Sequence, residues 1–338
     1  MNTFSRRGLL AMAAGALPLR PQVSSYERRA VVSLVYGEDR RKNVYEALVA
    51  IDDQIRPALK RKKYVLLKPN CVAVNNQLGS THADALRGIL DYLAPRFRGP
   101  IVIAESSRDH TADAYDNFQY HRVVSEYRKV SLVDLNEEGK YAVAEIIDRD
   151  LHLTQVRLAA RLFDPDAFIL GAAILKAHDN VVATLSVKNL VMAAPLHSRR
   201  GESAKWHDKT RYHAGYRQIQ MNLALTAKRM RPFWGATVID GYEGMEGEGP
   251  MKGTPVASRV AIASTDLVAA DRVGVEAMGV DPKWPGYLQY CCDAGLGQYD
   301  LAKIDLRAGV ELGRIRKTYK LHPRIQKQLE WMGPLPKA

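Results

Sequence analysis

The sequence predicts an α/β protein with a mostly parallel, doubly wound sheet or sheets and helices on both faces. Short apolar runs at 30–36, 64–70 and 100–106 have the length and composition of buried strands. The stretches between them, 43–60 and 81–95, carry apolar residues at helical spacing. Strands that alternate with helices in this order are typical of a parallel sheet covered by helices.

The order is interrupted once and then resumes. A helix is predicted at 113–127 and a strand at 130–135, whereas residues 140–163 are expected to form antiparallel strands. The pattern returns with a long apolar strand at 167–177. Further elements are predicted as a helix at 215–230, strands at 235–241 and 256–265, a helix at 265–279 and a short helix near 324–332.

The chain divides into three predicted parts. Residues 1–25 form an export signal, residues 26–300 form the α/β domain, and residues 301–338 form a basic tail with a short helix. The sequence contains no low-complexity linker, so a boundary between two lobes of the domain would be a soft one near residue 140.

The first 25 residues are typical of a twin-arginine export signal. Arg6 and Arg7 precede a short apolar run that ends at Leu19, and residues 14–16 supply an A-x-A cleavage sequence. The run is too short to span a bilayer, so no stable transmembrane anchor is expected. The predicted partner is the twin-arginine export machinery, and the predicted location is the periplasm or another exported compartment. The alternative is a cytoplasmic protein with an apolar N-terminus.

Composition and charge narrow the class of ligand. Apolar residues make up 46% of the chain and charged residues 25%, as in ordinary globular proteins. The formal net charge of +12 becomes +10 when residues 1–16, which hold two arginines, are removed. Export makes nucleic acid an unexpected partner, whereas an anionic small molecule or a negatively charged envelope surface suits the charge.

The cysteines indicate neither a metal cluster nor a disulfide framework. Cys71, Cys291 and Cys292 include no C-x-x-C pair, which gives no support for an iron–sulfur cluster. In an oxidising compartment Cys71 would be able to form a disulfide with either of the other two. The favoured interpretation of the adjacent pair is two small, buried apolar residues.

Polar side chains follow five of the predicted strands. They are Lys68–Asn70, Glu105–Ser107, Lys176–His178, Asp240 and Thr265–Asp266. Because ligands of doubly wound sheets bind outside the carboxyl ends of the strands, we expect these groups to line one shared cleft. The alternative is that strands end in polar residues simply because loops are solvated.

The segment 174–197 is largely apolar but contains Lys176, His178 and Lys188. A lysine removed from water needs a partner, since burial of its charge is costly. We expect a helix to begin near residues 179–180, with its N-terminus at the cleft. Lys188 is expected to pair with a carboxylate of the glycine-rich segment described next; the alternative is a surface lysine whose stem lies on apolar surface.

The glycine-rich segment, residues 240–253, holds four carboxylates among five glycines. Glycines allow close approach of the backbone to a ligand, but the carboxylates would repel an anion unless a cation lies between. Asp240 and Glu246 are therefore candidate ligands of a divalent metal, the one cofactor that the sequence indicates. A solvated turn is the alternative.

The basic segment, residues 197–217, carries six lysines and arginines against two acidic residues. It is expected to close over an anionic ligand, with His213 in contact with that ligand. Trp206, Tyr212 and Tyr216 would be able to stack on a flat molecule, a pattern also found in single-stranded nucleic-acid binding. The alternative for each histidine is a structural, hydrogen-bonded role.

A set of motifs points to a known family. They are LKPN at 67–70, AES at 104–106, LKAH at 175–178, TLSVKNL at 184–190, DGYEGMEGEGP at 240–250 and STDLVAADRVG at 264–274. In this order, over about residues 30–300, they resemble the family called domain of unknown function 362. The family pattern at residues 176–178 is Lys-Thr-His, and Ala177 replaces the threonine here. Many members carry a ferredoxin-like cysteine segment that this sequence lacks, so the resemblance implies a fold and a motif set, not a reaction.

The residues favour an exported enzyme that acts on a small anionic substrate, with a metal or cofactor as a possible aid. Lys68, Lys176 and Lys188 would bind or polarise the anion, and His178 would be the general acid or base. Glu105 would be a second base or, with Glu246, a metal ligand. Further contacts to the substrate are expected from Asn70, Asn189 and His213. The alternatives are a non-catalytic envelope protein that binds an anionic ligand or surface, and a redox protein.

Overall fold

The computed structural model describes residues 28–334, so the export signal predicted for residues 1–25 lies outside the described part of the chain. Within this part, a ten-stranded sheet is surrounded by helices and accompanied by a separate two-stranded sheet. The α/β class and the mostly parallel arrangement predicted from the sequence are confirmed.

The strands are numbered along the chain. They are β1 (Ala30–Tyr36), β2 (Tyr64–Lys68), β3 (Ile101–Glu105), β4 (Val130–Asp134), β5 (Tyr141–Ile147), β6 (Leu153–Ala159), β7 (Ala167–His178), β8 (Val182–Thr184), β9 (Trp234–Glu246), β10 (Thr254–Val256), β11 (Val260–Ser264) and β12 (Ile304–Arg307).

The α-helices of residues 28–334 are numbered in the same way. They are α1 (Arg40–Val49), α2 (Asp52–Leu59), α3 (Ala83–Leu93), α4 (Thr111–Asn117), α5 (Tyr120–Ser125), α6 (Leu135–Glu138), α7 (Ser186–Val191), α8 (Asp208–Arg211), α9 (Tyr216–Met230), α10 (Leu267–Ala277), α11 (Gly286–Asp293), α12 (Leu312–Ile315) and α13 (Ile325–Gln328). The helices predicted at 43–60 and 113–127 are each two shorter helices, α1 with α2 and α4 with α5. In the described range no helix has the length and hydropathy needed to cross a membrane.

The large sheet has the order β12-β1-β11-β9-β7-β2-β3-β4, with β8 added to β7 and β10 to β9. Along this path β11 is antiparallel to both neighbours, whereas the other seven strands share one direction. The carboxyl ends of β2, β3 and β7 therefore meet at one edge of the sheet. The basic tail contributes β12, which pairs with β1.

The direction of β11 corrects one expectation. Ser264, the last residue of β11, lies opposite Thr237 near the start of β9. The polar pair Thr265–Asp266 is therefore at the opposite edge of the sheet from Lys68, Glu105 and His178. Asp266 caps α10 there, because its carboxylate accepts hydrogen bonds from the backbone of Val268 and Ala269.

The antiparallel strands expected at 140–163 are β5 and β6, which form the two-stranded sheet. The turn between them is built around Asp148. Its carboxylate accepts hydrogen bonds from the backbone N–H of Asp150 and His152, each at 2.9 Å. A short acidic side chain that bonds the backbone two residues on is a common turn former, and here it ends one strand and starts the next.

Two hydrophobic layers lie on the two faces of the large sheet. Along β2, Val65 and Leu67 belong to one buried cluster and Leu66 to the other, since successive side chains of a strand point to opposite faces. The first layer packs on α1 and α3, and the second packs on α7, α9 and α10. This double covering leaves the carboxyl edge as the place where polar groups converge.

Candidate functional site

A cavity of about 310 Å³ lies at the carboxyl edge of β2, β3 and β7. Lys68, Glu105 and His178, which end these three strands, all line it. Residues of α7, of α8 and of the glycine-rich segment complete the wall. The polar groups that follow three of the five predicted strands therefore do converge.

The charge around this cavity is unusual. Of the lysines in residues 28–334, four are buried, and they all lie in or beside this wall: Lys68, Lys176, Lys188 and Lys209. A buried ammonium group is costly unless it is paired and hydrogen-bonded. Among the described residues, one ion pair involves these four lysines: the carboxylate of Glu105 lies 3.1 Å from Lys68 Nζ. The site therefore holds more buried amines than its own carboxylate is able to pair with.

Lys68 and Glu105 form the base of the cavity. Lys68 Nζ also donates to the carbonyl oxygen of Asn189 at 2.6 Å and to the side-chain oxygen of the same residue. Glu105 accepts from the backbone N–H of Cys71 at 2.9 Å and of Ser106 at 2.8 Å. Burial lowers the pKa of Lys68, while the Glu105 carboxylate acts in the opposite direction.

Lys176 and Asn189 lie behind the cavity wall and hold it in place. Lys176 Nζ donates to Asn70 Oδ1 at 2.6 Å and to the carbonyl oxygen of Gly79 at 2.8 Å. Asn70 in turn donates its amide hydrogen to Asn189 Oδ1 at 2.7 Å. Burial lowers the pKa of Lys176 well below its usual value, and the charges of Lys188 and Lys68 add to this effect. These contacts orient the amide of Asn70, which does line the cavity.

His178 and Lys188 form a pair in the cavity wall. Lys188 Nζ lies 2.9 Å from His178 Nε2, and His178 Nδ1 accepts from the backbone N–H of Asn180 at 3.0 Å. Burial lowers the pKa of Lys188 to about 8. Burial also holds the pKa of His178 well below its usual value, and the positive charge of Lys188 lowers it further. With a proton on Nε2, His178 would donate to the lone pair of a neutral Lys188; beside a charged Lys188, Nε2 would instead accept.

The helix expected to begin near residues 179–180 is absent from the described structure, and the prediction was wrong. The chain instead turns back at this point, so that β8 pairs antiparallel with β7 and His178 lies opposite Val182. The helix α7 begins later, at Ser186. Lys188 does not pair with a carboxylate of the glycine-rich segment, because the turn directs it towards His178.

A buried carboxylate holds the start of α7. Asp271 of α10 accepts hydrogen bonds from the backbone N–H of Ser186 at 2.7 Å and of Val187 at 2.9 Å. These groups have no partner within a helix, and a carboxylate satisfies them well. Burial raises the pKa of Asp271 to about 7. The position of Lys188, which lies in the first turn of α7, therefore depends on a residue from a distant part of the chain.

The basic segment supplies a cation that sequence reasoning did not single out. Lys209 of α8 donates to Ser106 Oγ at 2.7 Å and to the carbonyl oxygen of Met192 at 2.5 Å. Burial lowers the pKa of Lys209 to about 7. His213 and Arg108 also line the cavity. The one sequence signal for Lys209 was its place in this segment, which holds five other cations.

The aromatic residues of the basic segment do not face the cavity. Tyr212 is fully buried, and its hydroxyl is hydrogen-bonded to Thr226 at 2.7 Å. Trp206 packs against the guanidinium of Arg157, which lies 3.9 Å from its ring centre. Stacking of Trp206 or Tyr212 on a ligand in the cavity is therefore not available in this arrangement.

The two candidate metal ligands lie away from the cavity. Asp240 is buried next to Arg40, with 3.2 Å between its carboxylate and the guanidinium, and Glu246 accepts from the backbone N–H of Lys320 at 2.8 Å. Over residues 28–334, no group of three or more His, Cys, Asp or Glu side chains is arranged to hold a metal ion. The glycine-rich segment contributes Pro250 and Met251 to the wall of the cavity. A side chain at Gly249 would collide with the carbonyl oxygen of Ala177, so glycine allows this segment to pack against β7.

The cysteines are buried thiols and not a disulfide. Cys71, Cys291 and Cys292 are all free. Cys71 lines the cavity, but burial and the Glu105 carboxylate raise the pKa of its thiol to about 12. A thiol in this state is a poor nucleophile.

The fold and the site together define an α/β protein with a lysine-lined cavity at the carboxyl edge of a mostly parallel sheet. The chain belongs to the family of the domain of unknown function DUF362, whose family model matches residues 65–276. The family resemblance of the sequence motifs is thereby confirmed. The matched range includes Lys68, Glu105, His178 and Lys188.

Two further proteins are similar to the chain. A thylakoid-associated protein of Synechocystis sp. is 31% identical over 144 residues; the match covers 43% of this chain and 40% of that relative, so the chain spans less than half of the relative's length. A crystal structure of a protein from Thermotoga maritima has a TM-score of 0.41 at 10% identity, covering 77% of this chain and 60% of the other. Neither description names a reaction.

Proposed function

We propose that the protein is an enzyme that binds a small, carboxylate-bearing anion in the cavity and transfers a proton through Lys188 and His178. The observation that carries the proposal is the excess of buried lysines over buried carboxylates in the wall. A bound carboxylate would supply the missing negative charge and accept the free hydrogen-bond donors.

The groups in the cavity divide into two kinds. Lys68, Lys209 and Arg108 line the space and would hold the carboxylate, and a bound anion would favour the charged form of Lys209. The pair of Lys188 and His178 lies in the same wall, and its two basic nitrogens are at hydrogen-bond distance. A group whose pKa lies near neutral pH is efficient in general acid and base catalysis, and burial lowers the pKa of Lys188 to about 8, which supports a catalytic role for this pair.

The binding half of the proposal is tested with oxalate and malonate by calorimetry and thermal unfolding. Lys209→Met is expected to weaken binding at least tenfold, because it removes one cation from the wall. Lys228→Met is the matched control, since Lys228 is an exposed lysine of α9. Equal binding by the two variants would contradict the placement of the anion.

The catalytic half is separated from simple binding by His178→Gln. An enzyme would lose turnover but keep the anion, because His178 is assigned to proton transfer and not to charge pairing. Exchange of the α-hydrogen of small carboxylic acids into deuterated water, followed by NMR, gives a readout that does not require the natural substrate. A protein that binds these acids and exchanges none of them is better described by the binding-only alternative.

We also propose that the protein is exported by the twin-arginine machinery. The support is the order of Arg6, Arg7, the apolar run and the A-x-A sequence. Replacement of both arginines by lysine is expected to keep the precursor in the cytoplasm, as measured by cell fractionation. Export of that variant at the rate of the natural sequence would contradict the proposal.

A further inference from the structure

Lys188 differs from the other buried lysines in the kind of atom it contacts. Among the described residues, Lys68, Lys176 and Lys209 each donate to two or more oxygen acceptors. The hydrogen-bond contact of Lys188 is the ring nitrogen of His178, and no ion pair of residues 28–334 includes it. The amines of Lys68, Lys176 and Lys209 are thus occupied as donors to oxygen, whereas an imidazole neighbour is able to accept from a charged Lys188 or donate to a neutral one.

We propose that Lys188 is a nucleophile that forms an imine with the carbonyl carbon of a small 2-oxo acid. The proposal rests on the proposed function, since the acid would be the anion held by the cavity. It goes further by assigning a covalent intermediate and by narrowing the substrate to acids with a carbonyl group next to the carboxylate.

The chemical step balances without a further reactant. The lone pair of Lys188 Nζ attacks the carbonyl carbon, and a proton moves from nitrogen to the former carbonyl oxygen to give a carbinolamine. His178 Nε2 gives a proton to the hydroxyl group as the C–O bond breaks, and it takes the remaining proton of the nitrogen as the C=N bond forms, so that water leaves and His178 ends in its starting state. The two hydrogens of the amine and the carbonyl oxygen together make up the water that is released.

The geometry provides each part that this step requires. Lys188 lines the cavity, so a carbonyl carbon can reach its amine, and His178 Nε2 lies 2.9 Å away for the proton transfers. Lys209 and Arg108, in the same wall, would anchor the carboxylate. Burial lowers the pKa of Lys188 to about 8, which gives a substantial fraction of neutral amine at physiological pH.

The test uses the full chain, pyruvate or glyoxylate, and sodium cyanoborohydride, followed by intact-mass measurement and peptide mapping. We expect a single adduct on Lys188, with a mass increase equal to that of the 2-oxo acid less one oxygen atom. Lys188→Arg should remove the adduct, and Lys228→Arg should leave it unchanged. Mapping of the adduct on the natural sequence identifies the modified lysine even if Lys188→Arg fails to fold.

The possible outcomes separate this inference from the proposed function. An adduct on another lysine, or no adduct with either acid, overturns the assignment of Lys188. Oxalate has no reactive carbonyl and reports anion binding alone. If oxalate still stabilises the protein while no adduct forms, the imine is excluded and anion binding stands; if oxalate has no effect either, both proposals fail.

Discussion

Lys188 Nζ lies 2.9 Å from His178 Nε2, and both side chains are buried. Two basic nitrogens at this distance cannot both direct a hydrogen at the other, so the pair shares one proton between them. Burial lowers the pKa of both residues, and the positive charge of Lys188 lowers that of His178 further. Lys188 is therefore ready to change its charge near pH 8, close to the range in which a general acid or base is most useful.

The first prediction concerns the carboxylate next to this pair. Asp179 raises the pKa of Lys188, opposing the effect of burial. Asp179→Asn is therefore expected to lower that pKa further below about 8, by up to roughly one unit. The pH dependence of acylation at Lys188 by an amine-reactive ester, measured by peptide mass spectrometry, reports the shift. Asp166→Asn, at a surface ion pair with Lys63, should leave the midpoint unchanged; a rise in the Asp179 variant would contradict the assignment.

The second prediction concerns the buried ion pair of Lys68 and Glu105. Glu105→Gln removes the negative charge from a buried ammonium group and is expected to cost about 3 kcal/mol of unfolding free energy. Urea unfolding measures the loss. The double variant Lys68→Met, Glu105→Gln should be less destabilised than Glu105→Gln alone, because it no longer buries an unpaired charge. A double variant that loses the sum of both single effects would show that the two groups are not coupled.

The convergence of Lys68, Glu105 and His178 was predictable, since each ends an apolar run and parallel strands bring their ends to one edge. The apolar run of β11 looks the same, but its direction depends on pairing with β1 and β9, which no local pattern encodes. Asp266 was misplaced for this reason.

The path of the chain between β7 and α7 could not be predicted from the sequence, for a similar reason. Asp179 and Asn180 are residues that favour both helix caps and turns, and the sequence did not decide between them. Pairing of β8 with β7 and the contact of Asp271 with Ser186 decide it in the folded chain. Lys209 was missed because a cation in a basic segment gives no sign that it is buried.

The third prediction concerns the contact that positions α7. Asp271→Asn replaces one accepting oxygen with an NH2 group, so only one of the N–H groups of Ser186 and Val187 keeps its acceptor. The expected loss is about 1–3 kcal/mol of unfolding free energy, because a buried donor is left without a partner. The rate at which Lys188 is acylated should also change, because the helix that carries it loses a hydrogen bond at its start. Asp166→Asn is again the control; a variant as stable as the natural chain would show that α7 does not depend on Asp271.

The fourth prediction is a dependence of stability on pH that follows from the buried amines. Lys188 loses its proton near pH 8 in the folded chain but only near its ordinary value of 10.5 when unfolded. Between these values the unfolded state holds the Lys188 proton more tightly, so the contribution of this amine to the free energy of unfolding rises with pH. One such proton gives a slope of about 1.4 kcal/mol per pH unit.

The measurement is urea unfolding at several pH values between about 8 and 9.5, below the range in which unfolded tyrosines ionise. Lys188→Met removes the titrating amine and should lower the slope by up to the contribution of one proton. Lys228→Met should keep the slope of the natural chain, because Lys228 is an exposed lysine outside the cavity. The buried thiols of Cys71 and Cys291, whose pKa values are raised by burial, act in the opposite direction over this interval, so the comparison with Lys188→Met decides the outcome. A slope that Lys188→Met does not change would mean that Lys188 remains charged in the folded protein. It would then be a charged donor to the bound anion, and neither its role as nucleophile nor its shared proton with His178 would stand.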